Sequence, residues 1–148
     1  MKILVAFDNS PSARRSLKFA TQFKDVCDKL IVLYVNPGMI KVASSVDNVV
    51  PEAFFNDQEK FIDEIGKAIE ELVGDTGLQY EFLKIDAAGD EVASRIHEVA
   101  KEKHADFIVT GTRKLKGLSK FILGSVSSEL IKISTLPVMV VSPEEETP

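Results

Sequence analysis

The stretch best equipped for chemistry runs from Gly111 to Leu130, GTRKLKGLSKFILGSVSSEL. Its glycines bare backbone amides, and Arg113, Lys114, Lys116 and Lys120 add positive charge, so the chemistry on offer is anion binding, of phosphate above all. Asp8 closes an apolar run, and a carboxylate there either meets a ligand or helps cap the next helix, a role for which Asn9 and Ser10 compete. His97 and His104 are the only histidines. His97 falls beside an apolar helical stripe and His104 in a charged turn, so they read as packing or surface groups rather than as an acid-base pair or metal ligands. Cys27 reads as a small buried hydrophobe. Ser125 is a helix-start group with no base to make it a nucleophile. These residues form no catalytic constellation.

Two familiar phosphate motifs are absent. A G-x-G-x-x-G turn would have to follow the first strand, where FDNSPSA contains no glycine, and no G-x-x-x-x-G-K-[ST] loop occurs. A phosphoacceptor site at Asp86 would need a paired acid after the first strand and a lysine after the last, but Asn9 and Ser142 stand there.

The elements that must position these groups follow from periodicity. Ile3 to Phe7, Leu30 to Val35, Asp106 to Thr110 and Pro137 to Val141 are short apolar runs, the pattern of strands buried on both faces. Leu78 to Ile85 mixes apolar with charged residues as an edge strand does. Ser10 before Pro11 predicts a capped helix start, with Ala13, Leu17 and Ala20 at helical spacing. From Pro51 a longer helix keeps Phe54, Phe61, Ile62, Ile65, Ile69 and Leu72 on one apolar face and ends between Gly74 and Gly77. Val92, Ile96, Val99 and Ala100 mark a third helix, and Val126, Leu130 and Ile133 a fourth. Strands alternating with helices predict a doubly wound α/β sheet with right-handed crossovers, whose ligands sit beyond the carboxyl ends of the strands. The ends to watch are Asp8, Val35, Asp86 and Thr110–Gly111.

The segments ILVAFDNSPSARRSL, HADFIVTGT and GTRKLKGLSKFILGSVSSELIKISTLPVMVV together resemble the universal stress protein family, essentially from the first strand to the last. The resemblance implies a five-stranded parallel sheet in the order 3-2-1-4-5, of the adenine nucleotide alpha hydrolase-like kind. Residues 1–143 would be its single domain and 144–148 a frayed acidic tail. The family has an ATP-binding branch and a non-binding branch. The binding signature is glycine, two residues, glycine, nine residues, then glycine with Ser or Thr. Gly111 and Gly124-Ser125 match it, and Lys114 occupies the middle glycine's place. A lysine forced into a left-handed conformation costs about 1 to 2 kcal/mol, but one charge-assisted bond to phosphate returns about 1.5 to 3 kcal/mol.

Carried over by position, Ala6, Asp8 and Val35 line the adenosine side of an ATP or AMP site. Thr110, Gly111, Arg113 and Lys114 lie along the ribose and phosphates, and Gly124, Ser125 and Val126 hold the phosphate end, with Mg²⁺ as a companion of the nucleotide. The resemblance also implies a homodimer. The last strand, Val138, Met139, Val140 and Val141, is expected at a sheet edge without the charges that guard an exposed edge. The expected function is a regulatory adenine-nucleotide binder in the stress response, with weak ATP hydrolysis or autophosphorylation implied by analogy only. The alternative is a non-binding member acting through dimerisation and protein partners.

The whole chain fits this picture. Its 148 residues suffice for one domain with a core of its own. A net charge of -5 disfavours nucleic acid, whose binding needs a broad basic face, while a local basic patch suits a small anion. One cysteine allows no internal disulfide, and no apolar run approaches the roughly 20 residues of a membrane span. The expected location is the cytoplasm, with no membrane partner.

Overall fold

A computed structural model describes residues 1–37, 52–87, 91–112 and 123–142, the side chains of 52–55 excepted. The order is β1 (Lys2–Ala6), α1 (Pro11–Ala20), β2 (Lys29–Asn36), α2 (Glu52–Val73), β3 (Tyr80–Asp86), α3 (Val92–Glu102), β4 (Phe107–Gly111), α4 (Ser125–Ile133) and β5 (Val138–Val141). All strand pairings are parallel, in the order β3-β2-β1-β4-β5, as the resemblance implied.

The continuous apolar runs are strands because both of their faces are covered. Ile3, Val5, Leu30 and Val32 pack under α1 and α2, while Leu4, Ile31, Leu33 and Ile108 pack under α3 and α4. On α2, Ile65 and Ile69 are wholly buried, each contributing about 1.5 to 3 kcal/mol. The helix closes through a single 3-10 turn, Gly74–Thr76, and Gly77 follows at φ 79°, a left-handed conformation that glycine alone adopts freely.

The sheet's edges differ. On β3, Glu81 accepts from Lys29 Nζ at 2.9 Å and from Lys103 Nζ at 3.1 Å, and these hydrogen bonds hold its carboxyl below the usual glutamate range. At the opposite edge β5 carries no charge, and its first three residues are only half-buried.

The remaining singled-out groups lie away from the sheet's carboxyl edge or in structural settings. Thr135 donates its backbone N–H to His97 Nε2 at 3.2 Å, tying α3 to the loop before β5. His104 takes φ 57° in the turn after α3. Cys27 is buried, which pushes its thiol pKa up and keeps it protonated and unreactive. Among the described residues no helix is long and apolar enough to cross a membrane.

Candidate ligand cleft at the sheet's switch point

In this strand order the winding reverses between β1 and β4. The helix after β1 covers one face of the sheet and the helix after β4 covers the other, so the ends of β1 and β4 are left facing a crevice. A cleft of about 760 Å³ opens there, a size usual for small-molecule sites. Ala6, Asp8, Val35, Thr110, Gly111, Gly124, Ser125 and Val126 all line it. Arg113 and Lys114, and with them Lys116, Lys120 and the tail 144–148, lie outside the described residues.

The β1–α1 turn is held at several points. Ser10 is the N-cap, its Oγ accepting from Ala13 N–H at 3.2 Å, with Pro11 in the first helical position. Asp8 does not compete for that role: its Oδ1 accepts from Ser10 N–H at 3.0 Å, ordering the residues before the cap while the side chain stays exposed on the cleft wall. Asn9 sits at φ 63°, a left-handed conformation asparagine tolerates, and accepts from Arg14 Nη1 at 3.1 Å.

The two motif glycines have different reasons to be glycine. At Gly111 a Cβ would stand 2.7 Å from Ser12 O and 2.9 Å from Ser12 C, so β4 and the first turn of α1 touch through backbone. That carbonyl also accepts from Ser16 Oγ at 2.9 Å, which holds it in place. Gly111 is therefore required by the fold, whatever the cleft binds. At Gly124, the N-cap of α4, φ is -66° and among the described residues a Cβ would meet nothing nearer than Ser127 Oγ at 3.8 Å. Among the described residues no side chain caps this helix start. Gly124, Ser125, Val126 and Ser127 line the cleft, which places the positive end of the helix dipole at its wall.

The cleft's other pole is aromatic, and periodicity did not reveal it. Phe61, expected in the core face of α2, is 38 % exposed and lines the cleft. It stands edge to face with Tyr34, ring centroids 5.5 Å apart. Burial, and then the carboxylates of Asp8 and Asp86, raise the Tyr34 pKa above its ordinary value, so the phenol stays neutral at physiological pH. Ser10 and Ser12 add hydroxyls at the start of α1. Among the described residues no group of three or more His, Cys, Asp or Glu side chains is placed to hold a metal ion.

Comparison with known proteins agrees with this architecture. The universal stress protein family model matches residues 1–142. Universal stress protein YxiE of Bacillus subtilis is 33% identical over 147 residues, spanning 95% of this chain and 97% of the relative. The solved structure of MJ0577 superposes with a TM-score of 0.76 at 26% identity, covering 98% of this chain and 97% of that one. A universal stress protein solved in complex with cAMP shares the fold at 22% identity and a TM-score of 0.60, over 96% of each chain. A glycine-bounded crevice at the switch point of a 3-2-1-4-5 sheet, joined to a match along nearly the whole chain, leads to one conclusion: this chain belongs to the universal stress protein family of stress-response proteins.

Proposed function

We propose that the protein binds an adenine nucleotide, ATP or AMP, as a regulatory ligand in the switch-point cleft. One observation carries the reading: the crevice joins an apolar and aromatic wall to a helix N-terminus that no side chain caps among the described residues, and whose N-cap, Gly124, is a glycine that packing against those residues does not require. A phosphate at that terminus gains about 0.3 to 1 kcal/mol from the dipole, and hydrogen bonds from the first-turn amides that lack an intrahelical acceptor would hold it. Ala6, Asp8 and Val35 would line the adenosine, Thr110, Gly111, Arg113 and Lys114 would lie along the ribose and phosphates, and Gly124, Ser125 and Val126 would hold the phosphate end. Mg²⁺ would arrive with the nucleotide, since such ions are held mainly by phosphates and water with one or two carboxylates; Asp8 is the carboxylate among the described lining residues. That the cAMP-bound relative shares this fold adds support of a general kind. We assign no reaction to the cleft.

The same reading includes a homodimer paired through Val138, Met139, Val140 and Val141, because an uncharged edge strand is otherwise a hazard. It places the protein in the cytoplasm, where the single buried thiol of Cys27 is at home. The test is to denature the purified protein, identify any released ligand by mass spectrometry, and titrate the ligand-free protein with ATP and AMP in the presence of Mg²⁺ by calorimetry. A released adenine nucleotide or saturable heat is expected. No nucleotide and no heat would remove the proposal in favour of a member acting through dimerisation alone.

A further inference from the structure

The cleft is bipolar, and its aromatic pole has an unusual construction. Phe61 lies one turn before Ile65 and two turns before Ile69 on α2, both wholly buried, yet it keeps more than a third of its surface exposed. The difference is positional. Ile65 and Ile69 belong to the core between helices and sheet, whereas the turn holding Phe61 reaches the cleft at the sheet's carboxyl edge. Tyr34 holds the ring there. It sits on β2, paired through the neighbouring register positions Leu33↔Ala6 and Tyr34↔Lys84 to strands on both sides, so its backbone is fixed. The interplanar angle of 70° sets edge against face. Such a pair immobilises Phe61 and still leaves ring surface facing the crevice.

Resting on the nucleotide reading, we propose that Phe61, braced by Tyr34, is the wall that selects the base: it takes the planar heteroaromatic ring of the ligand, while the start of α4 takes the anion. Phenylalanine has no polar atom, so this wall reads ring area and planarity and not exocyclic groups. It favours a purine over a pyrimidine and contributes little to telling adenine from guanine. The selectivity comes from stacking, which at protein sites is worth a roughly 5- to 150-fold change in affinity on removal of the aromatic ring.

The experiment titrates the ligand-free wild type, Phe61→Ala and Phe61→Leu with ATP, CTP and inorganic tripolyphosphate by calorimetry, with thermal unfolding as the check on folding. Phe61→Leu keeps an apolar side chain on α2 and serves if the alanine variant does not fold. Both variants should bind ATP roughly 5- to 150-fold more weakly and lose most of the preference for ATP over CTP. Binding of tripolyphosphate, which has no base, should stay within about twofold of wild type. Wild-type ATP affinity and an unchanged ATP-to-CTP ratio in the folded variants would overturn the inference and leave the nucleotide reading standing. Equal weakening of ATP and tripolyphosphate would also overturn it, because the ring would then be shaping the cleft and not reading the base. A wild type that binds neither ATP nor tripolyphosphate would bring down both readings together.

Discussion

Replacing Gly124 by aspartate should separate binding from folding. The residue is the N-cap of α4 in an extended conformation, φ -66° and ψ 167°, and the described residues leave a side chain room there, with Ser127 Oγ at 3.8 Å as the nearest of them to a Cβ. Aspartate is a favoured N-cap, better than glycine by a few tenths of a kcal/mol, and its charge adds up to about 1 kcal/mol with the helix dipole. The apo protein should gain about 0.5 to 1 kcal/mol, raising its unfolding midpoint by about 1 to 4 °C for a domain of this size. For a bound phosphate the same carboxylate is a competitor. The anion loses the dipole's roughly 0.3 to 1 kcal/mol and a charge-assisted hydrogen bond of about 1.5 to 3 kcal/mol, before any repulsion is counted. Together these are about 2 to 4 kcal/mol, or roughly 30- to 900-fold in affinity for ATP. Calorimetry gives the affinity and circular dichroism the midpoint. Gly124→Asn, a neutral cap of the same shape, should retain more affinity than Gly124→Asp, the difference measuring charge alone. If Gly124→Asp is as stable as expected and binds ATP within about threefold of wild type, the phosphates do not lie at the start of α4, and the placement argued from its open amides is wrong.

Other perturbations test the remaining parts. Gly111→Ala forces a Cβ against the Ser12 backbone and should cost about 1 to 3 kcal/mol of stability in urea unfolding; an unchanged midpoint would refute the close approach of β4 and α1. Glu81 is held below the usual glutamate range by Lys29 and Lys103, so its contribution to stability is present above the unfolded-state pKa and is lost as pH falls through the folded-state value. The stability gap between wild type and Glu81→Gln should therefore be wide near neutral pH and narrow in acid, and a gap independent of pH would contradict it. The carbonyls of Pro137, just before β5, and of Val141 accept from the N–H groups of Ile108 and Thr112, so the backbone groups of Val140 point away from β4, to the sheet's edge. Val140→Pro should leave the β4–β5 ladder intact and turn a dimer into a monomer in sedimentation at micromolar concentration; a monomeric wild type would end the dimer proposal.

How much of this was legible in the sequence depended on whether a residue's role is local. The strands were legible because parallel strands buried on both faces read as unbroken apolar runs, and α1 began at Ser10-Pro11 because capping is a matter of neighbours. The edge position of β3 showed in its mixed charges, which the structure resolves into the Glu81, Lys29 and Lys103 cluster. Phe61 was not legible as a cleft residue. Its spacing from Ile65 and Ile69 is the spacing of a core stripe, and periodicity cannot tell a turn over the sheet from one at the sheet's edge. Tyr34 was hidden for a related reason, being one apolar position in a strand whose last turn of the pleat happens to face the crevice. Asp8 had two roles open from position alone, and only the hydrogen bond to Ser10 N–H shows that it orders the turn while Ser10 caps the helix.

Gly111 shows how a motif can be matched for more than one reason. In the signature it stands beside Gly124 as though both served the phosphates, yet its own neighbour is the Ser12 backbone, and a chain of this fold with an empty cleft would need it just as much. Its presence therefore says little about binding. Gly124 is different, because the described residues leave room there for a side chain and a helix cap would reward one, so the glycine at that position is a cost in stability that packing against those residues does not explain. A ligand that needs the amides of α4 uncovered does explain it. The two substitutions should accordingly diverge in direction: Gly111→Ala weakens the fold, and Gly124→Asp strengthens the fold while weakening the ligand. If both lower stability alike, the distinction between a packing glycine and a ligand glycine fails, and with it the main support for nucleotide binding.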